Sequence, residues 1–60
     1  MSILNDYYRL RDLKILGEYL KLRRQGESCM NAYSILAIRH GLSEMSVRRI
    51  VASGLKKNSS

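Results

Sequence analysis

Proline is absent, cysteine and histidine occur once each, and acidic residues are scarce. Without proline, with four scattered glycines and no low-complexity block, the chain lacks the make-up of a disordered, collagenous or linker segment. Cys29 has no second cysteine with which to close an intrachain disulfide, and His40 cannot complete a metal site with it, so the usual staples of a mini-protein are missing. No stretch reaches the roughly 18 to 20 apolar residues of a membrane span. Met1 to Asp6 lacks the basic-then-apolar pattern of a signal peptide. The expectation is a soluble, cytoplasmic protein of a reducing compartment. Paired carboxylates, a Cys and His within one helical turn, and a glycine-rich phosphate loop are all missing. No enzyme, cofactor or small-molecule substrate is therefore expected.

Cations are what the chain has in excess. Sixty residues, 45% hydrophobic, make one small domain, because chains this short bury only about 60% of their unfolded surface. Eleven Lys and Arg against five Asp and Glu leave a formal charge of +6, a field that favours a polyanionic partner. The excess is uneven. Arg9, Arg11, Lys14 and Lys21 are nearly balanced by Asp6, Asp12 and Glu18. Beyond residue 22, Arg23, Arg24, Arg39, Arg48, Arg49, Lys56 and Lys57 face only Glu27 and Glu44. The polyanion-binding surface is therefore expected in the C-terminal part.

The apolar spacing predicts an all-α domain, a long N-terminal helix followed by a helix-turn-helix pair. Residues 5–25 form one uninterrupted helix in this reading, with Asn5 or Asp6 able to cap its start. At 100° per residue its apolar side chains sort into two stripes on nearly opposite sides. Leu4, Tyr8, Ile15, Tyr19 and Leu22 form one, and Leu10, Leu13, Leu16 and Leu20 the other. A helix apolar on two sides needs two packing partners, so a homodimer is expected, with the Leu4, Tyr8, Ile15, Tyr19 and Leu22 stripe at its interface. The alternative is a break at Gly17 into two short helices; equally, Gly17 would let a neighbouring helix come close. Gln25-Gly26-Glu27 ends the helix and Ser28 caps the next. That helix turns Met30, Tyr33, Leu36, Ala37 and, in part, Ile38 to one face, while Cys29 is expected to be small and buried. Ser43 caps a third helix with Val47, Ile50 and Val51 inward, Ser53-Gly54 ends it, and 54–60 is a basic tail. The organisation is then 5–25 for packing and dimerisation, 28–53 for the helix-turn-helix, and the tail.

The run from Leu36 to Ile50 has helix-turn-helix spacing. Ala37 is small where the second helix of the motif crosses, and Gly41 supplies the positive φ with which the chain reverses. Leu42, Val47 and Ile50 are apolar and hold the two helices together. With these inward, Glu44, Met45, Arg48 and Arg49 turn outward, where a recognition helix meets base edges in the major groove. Arg39, Ser43, Ser46, Lys56 and Lys57 are placed for phosphates. His40 is expected to pack, half-buried, and the tyrosines to serve the core or an interface rather than stack on bases.

The pattern Ala37-x-x-x-Gly41-Leu42-Ser43-x-x-Ser46-Val47-x-Arg49-Ile50 resembles the helix-turn-helix domains of small phage and mobile-element regulators, in the form found in Hin-type recombinases and the middle-operon activators of Mu-like phages. The resemblance covers about Gly26 to Val51. It departs from the family at His40, usually apolar there, and at Met45, usually small or polar. It implies sequence-specific binding of double-stranded DNA, as a transcriptional regulator or accessory factor. The 5–25 segment is too short for a recombinase catalytic domain. Two rival readings remain open, a subunit such as an antirepressor or minor virion component whose basic face binds an acidic protein, and an RNA-binding factor.

Overall fold

A computed structural model of the chain describes the backbone of residues 3–58 and the side chains of residues 7–56. It is an all-α, three-helix domain, with α1 over Ile3–Arg24, α2 over Cys29–His40 and α3 over Glu44–Asn58. Among the described residues there is no strand.

Local chemistry sets most of the boundaries. α1 closes with a Glu27 N–H bond to the Leu22 carbonyl and a Gly26 N–H bond to that of Arg23, both 3.1 Å. This paired closure satisfies carbonyls that the helix end leaves unbonded. Lys21, Arg23 and Arg24 occupy its last turn, where cations favour the helix dipole. The Ser28 side chain accepts from the Asn31 N–H and caps α2. At the other end α1 already includes Asn5 and Asp6, so neither caps it. The helix also runs unbroken through Gly17. A helical glycine costs only about 1 kcal/mol, and Ile15, Leu16 and Tyr19 on either side are buried.

The core draws on all three helices. Ile15, Leu16 and Tyr19 of α1 meet Ala32, Leu36 and Ala37 of α2 and Val47 and Val51 of α3, with Leu22, Tyr33, Leu42 and Ile50 packed around them. Ile15, Leu36, Val47 and Val51 are the largest fully buried side chains, each contributing roughly 1.5 to 3 kcal/mol through burial. Tyr19 and Tyr33 stack with ring centres 5.5 Å apart.

This packing corrects several expectations. The α1 stripe assigned to a second copy is the one the chain folds over. Ile15 and Tyr19 lie in its own core and Leu22 packs against it, so they are not available to a partner. Tyr8 stays exposed, with the Arg11 guanidinium 5.0 Å from its ring centre; the Leu4 side chain is outside the described residues. Leu10, Leu13 and Leu20 of the other stripe are exposed, at 68%, 61% and 37%, while Leu16 is buried. Leu16 is covered because α3 does not stop at Ser53-Gly54. It continues to Asn58, and a Cβ at Gly54 would sit 2.7 Å from Leu16 Cδ2. The close approach belongs to Gly54, whereas Gly17 has nothing within 4 Å of where its Cβ would be. Met30 and Cys29 are exposed rather than inward, since both open α2 before it reaches the core at Ala32.

Candidate nucleic-acid interface

The α2 to α3 connection is three residues, Gly41 to Ser43. Gly41 has φ +67°, a left-handed conformation that side chains with a Cβ disfavour. The reversal lets the Leu42 N–H reach the Ala37 carbonyl at 2.9 Å. Ser43 Oγ then accepts from the Ser46 N–H at 3.1 Å and donates to Ser46 Oγ at 2.9 Å, capping α3.

The core sets the rotation of α3. Val47 and Val51 are buried, with Ile50 and Gly54 half-buried beside them. At 100° per residue the opposite side of the helix carries Met45, Arg48, Arg49, Ala52 and Lys56, all exposed. Glu44 is exposed at the edge of this face. The sequence-predicted Met45, Arg48 and Arg49 thus share one surface. Lys56 joins them, about two turns beyond Arg49, instead of lying in a loose tail. Lys57 is helical too, with its side chain outside the described residues. Ala52 is a member of the face that the motif does not point to. It lies midway along the exposed surface, and its short side chain leaves room for close approach of another molecule. Its signal is the spacing of three and four from Arg49 and Arg48 within the same helix.

Arg39, expected at phosphates, is exposed and pairs across the helices. Its Nη1 donates to Glu18 Oε1 at 2.6 Å, and His40 Nε2 lies 3.0 Å from Glu18 Oε2. Burial alone would raise the Glu18 carboxyl. Hydrogen bonds from Arg39 and His40, with their charges, outweigh it and hold the carboxyl below its ordinary value. The end of α2 is therefore tied to the middle of α1. His40 packs half-buried through this polar contact, which resolves its unusual place in the motif.

An open groove flanks the exposed face, lined by Cys29, Met30 and Tyr33 of α2 and Glu44, Met45 and Arg48 of α3. The Tyr19 hydroxyl and Cys29 Sγ share a hydrogen bond of 3.3 Å beneath it. That bond, desolvation and Tyr33 push the Tyr19 hydroxyl well above its ordinary value, so it stays protonated and pins the start of α2. Among the described residues, no group of three His, Cys, Asp or Glu gathers as a metal site would need. Nor, among them, is any helix long and apolar enough to cross a membrane. The chain matches no family model, no curated protein and no solved structure.

Proposed function

We propose that the protein binds double-stranded DNA through the outer face of α3, acting as a regulator or accessory factor of DNA transactions of the kind phages and mobile elements use. The observation that carries this reading is the exposed row of Met45, Arg48, Arg49, Ala52 and Lys56, on a helix held by a three-residue turn against the preceding one. A helix so presented fits the width of the major groove. Arg48 and Arg49 are the residues for guanine edges, where a bidentate guanidinium discriminates by about 1 to 3 kcal/mol. Met45 suits the methyl of thymine, and Glu44 suits a cytosine amino group. Ser43, Ser46 and Lys56 are for the backbone. Arg39 is held by Glu18 and serves the site by fixing where α2 ends.

Selection of sites from random duplex DNA, followed by titration of selected and random duplexes, tests the reading. Arg49→Ala and Arg48→Ala are expected to weaken the selected site by tenfold or more while changing random DNA much less, since each 1.4 kcal/mol is a factor of about ten. Affinity for random duplex is expected to fall with salt on a log–log slope of roughly −3 to −6. Equal losses on both duplexes reduce the arginines to phosphate contacts. Absence of duplex binding at low salt, or a preference for structured RNA, removes the proposal.

A further inference from the structure

A second surface lies on α1 and does not depend on how the outer face of α3 is read. Leu10, Leu13, Gly17 and Leu20 recur along α1 at spacings of three and four, and all are exposed. That alternation is the seam along which one helix packs on another. Both edges of the seam are basic. At 100° per residue Lys14 and Lys21 lie along one side and Arg9 and Arg23 along the other, all four exposed. The nearby acids are already engaged, Asp12 by Arg11 at 3.1 Å and Glu18 by Arg39 and His40.

We propose that this stripe of α1 docks one helix of a partner protein that is apolar on one face and lined with Asp or Glu beside it. Charge decides against a second copy. In a parallel pair the Lys14 and Lys21 edge would meet the Arg9 and Arg23 edge of the copy, and in an antiparallel pair each edge would meet its like. Either way cations oppose cations, and such juxtapositions exclude partners. Glutamates beside the seam of a different helix would meet all four. The spacing decides against a lipid surface, which also attracts basic edges but reads no register. Nothing lies within 4 Å of where a Cβ of Gly17 would be, so the middle of the stripe holds a hollow that a large apolar side chain of a helix can enter.

The test uses the full chain and two synthetic three-heptad helices with leucine at both seam positions, one carrying Glu and the other Lys at the flanking positions. Titration is expected to show the acidic peptide binding at least tenfold tighter than the basic one. Leu13→Gln with Leu20→Gln, exposed changes that should leave the circular dichroism intact, is expected to weaken the acidic peptide tenfold or more. Lys14→Glu with Lys21→Glu, which leaves the Arg9 and Arg23 edge basic, is expected to abolish most of the preference between the peptides. Equal affinity for the two peptides, or no binding of the acidic one, overturns the proposal. So does sedimentation of the unmodified chain as a dimer that Leu13→Gln with Leu20→Gln dissociates, which would make a second copy the occupant. Binding to phosphatidylserine vesicles without a preference between peptides would make a membrane the occupant and overturn it as well.

Discussion

Glu18 takes its hydrogen bonds from residues more than twenty positions away, and both partners stand at the end of α2. Because its carboxyl is held below the ordinary value of 4.5, folding favours the ionised form. The stabilisation is therefore fully present above about that pH and is lost as pH falls through the lowered folded value. With the pair partly exposed, its worth is about 0.5 to 1 kcal/mol. Thermal melts of the protein and of Glu18→Gln should thus differ at neutral pH and converge in acid. Gly54 supports a second prediction. An added Cβ would press on Leu16, itself part of the buried core. Overpacking costs typically 1 to 3 kcal/mol and exceeds the gain from replacing a helical glycine, about 1 kcal/mol. Gly54→Ala is expected to destabilise by about 1 kcal/mol alone and to stabilise in a Leu16→Ala background, a sign change that denaturant unfolding of the four proteins will show.

At the scale of the element, α1 and α3 use glycine in opposite ways. Gly54 lets two helices close together, whereas Gly17 sits on an exposed face with empty space above it. Within the single chain Gly17 only weakens α1, so Gly17→Ala is expected to raise stability by up to about 1 kcal/mol in urea unfolding. The two turns between helices are legible in the sequence because near neighbours make them. Ser28 and Ser43 reach three residues ahead and Gly41 reverses within four, distances at which side-chain and backbone hydrogen bonding decide alone. The candidate face of α3 is half legible for the same reason. Val47 and Val51 point one way and therefore Met45, Arg48, Arg49 and Ala52 the other, but the continuation that adds Lys56 depends on α1 being there to receive Gly54.

For the whole molecule the core is small. Among the described residues eight are buried, and four of these are large side chains with almost no exposure. A chain of this length has a total stability of roughly 3 to 9 kcal/mol, and a buried Leu→Ala change removes about 2 to 5. Leu36→Ala is therefore expected to remove a large share of that stability, which urea unfolding followed by far-ultraviolet circular dichroism will register as a lowered midpoint. The same thin margin makes a docked helix on α1 a source of stability, since any ligand that binds only the folded form raises it.

The sequence by itself determined that the chain is all-α, where the two turns fall, and which side of α3 is apolar. These follow from short-range hydrogen bonding and from periodicity within one helix. Only the tertiary structure decided which stripe of α1 goes inside, that α3 runs through Gly54, and that Arg39 is held by Glu18. Two stripes of similar apolar content are equivalent to a non-directional hydrophobic force. What separates them is shape, because Ile15 and Tyr19 join Leu36 and Val47 in one core while Leu16 meets α3 at Gly54, and shape exists only once the three helices are assembled.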